Sequence, residues 1–267
     1  MEAPASSTVK SELPTIVIVQ GSFQIPKVYE QFEGSLRKQG YPTVHPRFPS
    51  CTDVDDPDFP NRSLIDDALA VRSELIRLVE YEHKTVVVVM HSYGGLVGSE
   101  AVAKDLVYAD RKARGLAGGV IHLFFYAAFL LPEGQSVLGK FGESPNSIVT
   151  PDGRFIIKNA QQNLYNDLLP AEAEYWGSLL IFQSHKVKKT VLTRAAWRYI
   201  ASTYLICEGD QAVPPQYQEQ LANMASAHIE RCSAGHSPQL SQVEMLVGSI
   251  DGALKRAVAE LQKKASE

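Results

Sequence analysis

Residues 86–95 read VVVVMHSYGG and join an unbroken apolar run to a serine between a histidine and a tyrosine. Four adjacent β-branched valines are typical of a strand that helices cover on both faces of a parallel sheet. Ser92 then follows the carboxyl end of a central strand, where open α/β sheets place their ligand chemistry. The same serine also suits the N-cap of a following helix, which Gly94 and Gly95 would allow to pack closely. This stretch alone leaves a catalytic and a capping serine as alternatives.

The composition of the 267-residue chain is ordinary for a globular protein, with 45% hydrophobic and 21% charged residues. Its formal net charge is −4 and its basic residues are scattered, which disfavours binding to nucleic acid or to an anionic membrane. The N-terminal sequence has no apolar run of signal-peptide length, and no apolar stretch reaches the roughly 18 residues that span a bilayer. We therefore expect a soluble, cytoplasmic protein that binds neither nucleic acid nor membranes.

Three cysteines, Cys51, Cys207 and Cys232, are present. Their odd number and the absence of CxxC spacing argue against a disulfide framework and against a zinc site. We predict reduced thiols, with Cys207 in a buried strand, and no bound metal.

Apolar runs and helical stripes alternate before residue 131 and predict successive strand-helix-strand units. The segment TIVIVQGSF, residues 15–23, predicts the first strand, and the proline-rich residues 40–50 predict an edge strand. A helical stripe at residues 64–78 leads into the valine strand, and the apolar residues 118–134 predict another central strand. This alternation indicates a parallel sheet flanked by helices, which is the α/β class.

The pattern changes between about residues 131 and 198, where polar turns alternate with short helical pieces and no strong strand is indicated. The β pattern returns at residues 199–210 and is followed by two more helices. We therefore divide the chain into a flexible tail at 1–13, a core at 14–131 and 199–267, and an inserted cap at 132–198.

Three separated residues form a candidate catalytic set. Ser92, Asp210 and His236 each follow a predicted strand, in an order that is characteristic of one large class of serine hydrolases. A serine hydroxyl becomes a good nucleophile when an imidazole takes its proton, and a carboxylate on the other ring nitrogen stabilises the imidazolium. Glu208 is a rival acid, but it lies two residues closer to the strand. The set makes the catalytic interpretation of Ser92 the stronger one.

An acyl-transfer site also needs hydrogen-bond donors for the oxyanion that forms in the transition state. The backbone amide of Tyr93, directly after the serine, is one candidate. The second is the amide of Ser22 in the loop after the first strand, where Gly21 lets the backbone turn into the site.

Five motifs together resemble the lidded α/β-hydrolases that include plant methylesterases, hydroxynitrile lyases and bacterial pyrethroid-type carboxylesterases, with fungal members closest. They are VQGSF (19–23), VVVVMHSYGG (86–95), IHLFFYAAFLLPEG (121–134), TYLICEGDQAVP (203–214) and AGHSPQLS (234–241). The resemblance covers residues 14–262 and implies an α/β-hydrolase fold with a mostly parallel central sheet and a small helical cap before the acid-bearing strand.

By position, the resemblance implies that Ser92 is the nucleophile, Asp210 the acid and His236 the base. It makes the amides of Ser22 and Tyr93 the oxyanion donors. It implies no cofactor and is compatible with a homodimer. The aromatic residues of the cap suggest an apolar substrate pocket. The residues predicted to line this pocket are Gly21, Phe23, His91 and Trp176.

The chain departs from the family pattern at two positions. The nucleophile motif usually reads G-x-S-x-G, and here Met90 replaces the first glycine, so the crossing of strand and helix must accommodate a side chain. The oxyanion loop usually begins His-Gly, and here Gln20 replaces the histidine. Neither change removes a group that transfers a proton or carries charge, but both can reshape the pocket.

Three functions are compatible with these residues. The leading hypothesis is a metal-independent serine esterase that cleaves an ester or lactone of a small, rather apolar molecule, such as a secondary metabolite. The second is a lyase or retro-aldol enzyme in which His236 is the base and no acyl-enzyme forms. The third is a ligand-binding or sensing relative. Hydroxynitrile lyases of the resembling group carry a threonine and a lysine where this chain has Gly21 and Ser237, which favours the hydrolase.

Overall fold

A six-stranded sheet lies at the centre of the computed structural model, which describes residues 13–266. The strands of the described residues are β1 (Thr15–Val19), β2 (Thr43–Val44), β3 (Thr85–His91), β4 (Gly119–Tyr126), β5 (Ser147–Val149), β6 (Arg154–Ile157), β7 (Gln183–Ser184), β8 (Ser202–Cys207) and β9 (His228–Cys232). The central sheet has the order β2-β1-β3-β4-β8-β9, and every neighbouring pair is parallel. The α/β fold predicted from the sequence is confirmed.

The helices around the sheets follow the chain order of the predicted α/β units. They are α1 (Glu30–Lys38), α2 (Leu64–Ile76), α3 (Gly94–Ala101), α4 (Tyr108–Ala113), α5 (Val137–Phe141), α6 (Ala160–Asn163), α7 (Pro170–Ser178), α8 (Lys186–Lys189), α9 (Pro215–Met224), α10 (Pro238–Ser241) and α11 (Val243–Ser266). Short 3-10 turns, among them Pro49–Cys51, connect several of these elements.

Both faces of the central strands are buried, as the unalternated valine run predicted. Successive residues of β3 enter two different hydrophobic clusters: Val86 and Val88 pack with α2 and α3, whereas Val87 and Val89 pack with α1 and α11. Because side chains alternate across a strand, this division puts one pair of helices on each face of the sheet. The proline-rich β2 is the outermost strand next to β1, which confirms the predicted edge position.

Residues 132–198 contribute no strand to the central sheet, but they contain a feature that the sequence pattern did not predict. The strands β5, β6 and β7 form a separate antiparallel sheet. Each has between two and four residues, and β5 is largely exposed, so the alternation that identifies a longer amphipathic strand is absent. The predicted helical cap therefore contains a small antiparallel sheet besides its helices.

The cysteines are free thiols, as predicted. Cys207 and Cys232 are register partners in β8 and β9 with their Sγ atoms 3.7 Å apart, well beyond the roughly 2.05 Å of a disulfide bond.

The predicted flexible tail at residues 1–13 lies outside the described residues except for Leu13. Across residues 13–266, none of the helices combines the length and the apolar character that crossing a bilayer requires.

Candidate active site

Ser92 occupies a strained turn between β3 and α3. Its φ angle is 52°, in the left-handed region that residues other than glycine rarely adopt. Tyr93 is the N-cap of α3, and the Ser92 hydroxyl contacts His236, so the capping interpretation of this serine is wrong. The turn directs the hydroxyl away from the helix and leaves it available for chemistry.

Two glycines allow α3 to pack closely against the central sheet. A Cβ atom on Gly94 would collide with the carbonyl oxygen of Val19 at the end of β1. A Cβ on Gly98 would collide with the side chain of Met90, which is fully buried. Met90 stands where the family motif usually has a glycine. Its side chain fits because Gly98, one turn along α3, has no side chain.

The structure brings Ser92, His236 and Asp210 into one hydrogen-bonded chain. The Ser92 hydroxyl lies 3.0 Å from His236 Nε2, and His236 Nδ1 lies 2.9 Å from Asp210 Oδ2. All three residues are at least nine-tenths buried. In this arrangement the serine donates to the imidazole and the imidazole donates to the carboxylate, which is the geometry that serine activation requires.

Asp210 is held rigidly by the loop that follows β8. Its Oδ1 accepts the amides of Ala212 and Val213 at 2.8 and 2.9 Å, and its Oδ2 also accepts Gln218 Nε2 at 3.0 Å. Glu208, the rival acid, is instead exposed and pairs with Arg231 at 3.1 Å. Of the two candidate acids, Asp210 is thus the one that contacts His236.

Two residues of the segment 132–198 support the loops that carry Asp210 and His236, and no sequence pattern predicted either of them. Asn166 Nδ2 donates to the Gly209 carbonyl at 2.9 Å, and the Gly235 amide donates to Asp167 Oδ2 at 2.6 Å. Asn166 and Asp167 are adjacent in a polar turn, and such turns give no sequence signal that distinguishes a support from a solvated loop.

Ser22 and Tyr93 line the same cavity as Ser92 and His236. The amide before Ser22 is engaged, because Gly21 N–H donates to the Tyr29 hydroxyl at 2.8 Å. No hydrogen bond among the described residues engages the Ser22 or Tyr93 amide. Both predicted oxyanion donors therefore remain available for a ligand oxygen.

His91 forms hydrogen bonds with both of its ring nitrogens. Its Nε2–H donates to the His236 carbonyl at 2.8 Å, and its Nδ1 lies 2.7 Å from the Tyr29 hydroxyl. Burial, together with the nearby His236, lowers the pKa of His91 well below its usual value, so the ring is neutral. Since Tyr29 also accepts the Gly21 amide, His91 and Tyr29 connect the first-strand loop to the segment bearing His236.

Gln20, which replaces the usual histidine, stabilises the first-strand loop from inside. Its Nε2 donates to the Gln24 carbonyl at 2.7 Å, and its Oε1 lies 3.1 Å from His45 Nε2. The amide side chain thus spans the turn that presents Ser22.

A cavity of about 720 Å³ opens above Ser92. Its wall is mainly apolar and includes Leu96, Phe129, Leu131, Phe155, Val187 and Leu221. The predicted pocket residues Gly21, Phe23 and His91 line it, but Trp176 does not. Trp176 lies on α7 and packs against the hydrophobic clusters behind the cavity, so its placement in the pocket is wrong.

One ion pair interrupts the apolar wall. Lys188, which is almost fully buried, pairs with Glu143, and Glu143 also accepts His185 Nε2 at 2.7 Å. Burial opposes ionisation of Glu143, but these hydrogen bonds outweigh it and lower its pKa to about 2. Among the described residues, no group of three or more His, Cys, Asp or Glu side chains is arranged to hold a metal ion.

A buried carboxylate, Asp67 of α2, lies beneath the turn that carries Ser92. Its Oδ2 accepts the hydroxyls of Tyr93 and Ser50 at 2.7 and 2.6 Å, and its Oδ1 accepts the Ser50 amide at 2.9 Å. Burial raises the pKa of Asp67 to about 7, although these hydrogen bonds act in the opposite direction. No pattern in the sequence indicated this buried position, because an aspartate on a helix usually faces solvent.

This carboxylate predicts a specific pH dependence of stability. The folded protein binds the Asp67 proton more tightly than the unfolded chain, whose aspartate pKa is near 3.8. The free energy of unfolding should therefore fall as pH rises from about 4 to about 7, by roughly 2 to 4 kcal/mol from this group. Its neighbours Cys51 and Tyr93 do not titrate in this range, because burial raises both of their pKa values.

The measurement is urea denaturation of the wild type and of Asp67→Asn at several pH values between 4 and 7.5. Asp67→Asn should lack this loss of stability. The difference in the free energy of unfolding between the wild type and the variant should therefore shrink or change sign as pH rises. Parallel curves over the whole range would contradict the prediction.

Comparisons with known proteins agree with this fold. A family model described as "Alpha/beta hydrolase family" matches residues 16–247. The chain is 32% identical over 257 residues to the alpha/beta hydrolase nvfD of Aspergillus novofumigatus, covering 92% of this chain and 98% of that relative. Among solved structures, it is similar to a pyrethroid hydrolase from Sphingobium faniae, with a TM-score of 0.69, 17% identity, and 91% and 98% of the two chains covered. A methylesterase protein from Arabidopsis gives a TM-score of 0.69 at 16% identity, with 91% and 99% covered.

Proposed function

This chain belongs to the alpha/beta hydrolase family, and we propose that it is a serine esterase that cleaves an ester or lactone of a small, rather apolar molecule, such as a secondary metabolite. The observation that carries the proposal is the hydrogen-bonded chain from the Ser92 hydroxyl through His236 to Asp210 at the cavity. Fold alone would not suffice, because one fold hosts many reactions.

In the proposed reaction, the Ser92 oxygen attacks the carbonyl carbon while His236 Nε2 takes the hydroxyl proton. The amides of Ser22 and Tyr93 stabilise the oxyanion of the tetrahedral intermediate. His236 then gives its proton to the departing alcohol, which leaves an acyl group on Ser92. Water attacks this ester by the same route, and the free acid leaves. Asp210 fixes the tautomer of His236 and stabilises its cation throughout.

The shape and lining of the cavity support an apolar substrate. A volume of about 720 Å³ lies within the range of roughly 300 to 1,000 Å³ that is usual for small-molecule sites. The wall is mainly aliphatic and aromatic, and the polar groups are concentrated at Ser92, at His236 and at the Lys188–Glu143 pair. The names of the two structural neighbours, a pyrethroid hydrolase and a methylesterase, agree with an ester as the reacting group.

The lyase alternative is less well supported. Gly21 has no side chain to donate to a leaving group, and Ser237 is neutral, fully buried and engaged by Gln24 Nε2 at 3.4 Å. A departing cyanide would thus meet neither a side-chain donor nor a positive charge at these two positions. The backbone amides of Ser22 and Tyr93 need neither group to stabilise an oxyanion.

We expect an acyl-enzyme and no cyanide release. A fluorophosphonate probe should label Ser92, as identified by mass spectrometry of its peptide, and activated p-nitrophenyl esters should show a burst when deacylation is slower than acylation. A series of p-nitrophenyl esters and lactones of graded size would then define the preferred substrate. Cyanide release from mandelonitrile above the buffer rate, with no adduct on Ser92, would replace the esterase by the lyase. Absence of labelling and of turnover would favour the ligand-binding alternative.

A further inference from the structure

Asp67 connects the nucleophile turn to two other parts of the chain. Besides Tyr93, it holds Ser50 through both the amide and the hydroxyl of that residue. The Ser50 hydroxyl in turn accepts Gln183 Nε2 of β7 at 2.9 Å. Asp67, Ser50 and Gln183 have no exposed surface, so this network is closed to water.

The residue after Ser50 contacts the other side of the proposed oxyanion hole. Cys51 and Phe23, the residue directly after Ser22, lie in the same buried hydrophobic cluster. The Phe23 carbonyl accepts the Ile181 amide at 2.9 Å, two residues before Gln183. The short turn Pro49–Cys51 is thus linked to both backbone segments that carry the predicted donors, to one through Asp67 and to the other through Gln183 and the nearby Ile181.

We propose that Asp67 is a positioning residue of the oxyanion hole, which fixes the Tyr93 amide through the Tyr93 hydroxyl and couples it to the Ser22 segment through Ser50 and Gln183. This inference rests on the proposed esterase function. Asp67 itself does not touch the substrate, because it lies behind Tyr93 and does not line the cavity.

The local geometry explains why the Tyr93 amide needs such support. Ser92, one residue earlier, is held at a φ of 52°, which the backbone does not favour. The Tyr93 ring packs edge-on against Phe48 at a centroid distance of 5.8 Å, but only its hydroxyl has a directional contact. The Ser92 carbonyl, on the same peptide group as the Tyr93 amide, accepts the amides of Gly95 and Phe129 at 3.0 Å, and the Tyr93 hydroxyl adds a side-chain constraint on the direction of this amide.

A merely structural role would not need a carboxylate at this point. Burying a carboxylate is unfavourable unless several donors stabilise it, and Asp67 has three donors that come from only two residues. All three fix the position of segments next to the predicted donors. The network therefore holds atoms in place at the site where small displacements affect the transition state most.

The test is Tyr93→Phe, which removes the hydroxyl and keeps the packed ring. Tyr41→Phe is a matched control, because the Tyr41 hydroxyl also donates to an aspartate, Asp251, at 2.8 Å but lies in the other hydrophobic cluster. For each protein, stopped-flow kinetics with a p-nitrophenyl ester gives the substrate dissociation constant and the rate constants of acylation and deacylation. Binding of an aryl trifluoromethyl ketone, which forms a tetrahedral oxyanion on serine, reports on the hole itself.

Tyr93→Phe should slow acylation and deacylation by about tenfold each, because both steps pass through an oxyanion. Ketone affinity should fall by a similar factor, while the substrate dissociation constant stays within about twofold. Tyr41→Phe should change none of these values by more than about twofold. Asp67→Asn should give the same pattern as Tyr93→Phe, which keeps the proposal testable if one variant does not fold.

Three results would overturn the positioning role: equal effects in the two tyrosine variants, a loss confined to substrate binding, or unchanged ketone affinity in Tyr93→Phe. A failure of the proposed esterase function would give a different result. In that case the wild type itself would form neither an acyl-enzyme nor a ketone adduct at Ser92, and the positioning role would fall with it.

Discussion

Replacing Ser92 by alanine is expected to abolish ester hydrolysis, with kcat/KM falling by about 10⁴- to 10⁶-fold. The hydroxyl is the only group lost, and in the proposed reaction it forms the bond to the acyl carbon. The fold should persist, because the serine side chain lies at the cavity and contacts His236 rather than the hydrophobic core. Thermal unfolding should therefore change by only a few degrees.

Ser99→Ala is the matched control for this experiment. Ser99 lies on α3, seven residues after Ser92, and its buried hydroxyl has no hydrogen-bond partner among the described residues. Its replacement should leave activity within about twofold of the wild type. A Ser92→Ala protein that keeps more than about a tenth of wild-type activity would show that another group is the nucleophile.

Asp210→Asn should lower kcat by about 10⁴-fold, the second largest effect that we expect. Asparagine would keep the side-chain volume and the bonds from the Ala212 and Val213 amides to its oxygen. Its NH₂ group would face His236, however, and would favour the tautomer that carries its proton on Nε2. That tautomer cannot accept the Ser92 proton, and a neutral amide stabilises the imidazolium poorly.

Glu208→Gln is the control for the choice of acid, because Glu208 was the rival in the sequence. Its carboxylate is exposed and pairs with Arg231, a surface contact that contributes little energy. Activity should change by less than about twofold. A severe loss in Glu208→Gln together with an active Asp210→Asn would falsify the assignment of Asp210. Steady-state kinetics on one p-nitrophenyl ester is sufficient for both variants.

Local patterns in the sequence were enough to predict the fold and the three residues of the hydrogen-bonded chain. An unalternated valine run indicates a strand buried on both faces, and proline near β2 indicates an edge, because each signal depends on residues close together in the chain. Ser92, Asp210 and His236 could be found in the same way, since each follows such a strand. Parallel strands bring their carboxyl ends to one edge of the sheet, so the three loops meet there.

Features that depend on contacts between distant segments could not be predicted in this way. The strands of the small antiparallel sheet are too short to show alternation, and whether Trp176 faces the cavity or the core depends on how α7 rotates against its neighbours. Likewise, Gly98 accommodates Met90 only because α3 crosses β3 at that point.

The buried network beneath the nucleophile turn is the clearest case of this kind. Ser50 lies 17 residues before Asp67 and 133 residues before Gln183. In the sequence, Asp67 looks like an ordinary helix aspartate, Ser50 like a loop serine and Gln183 like a polar residue of the cap. Sequence periodicity reports which face of an element is apolar, but it carries no information about which polar side chain on another element meets it. Because a buried carboxylate is stabilised only by the donors that the folded chain assembles around it, the tertiary structure alone decided that Asp67 supports Tyr93.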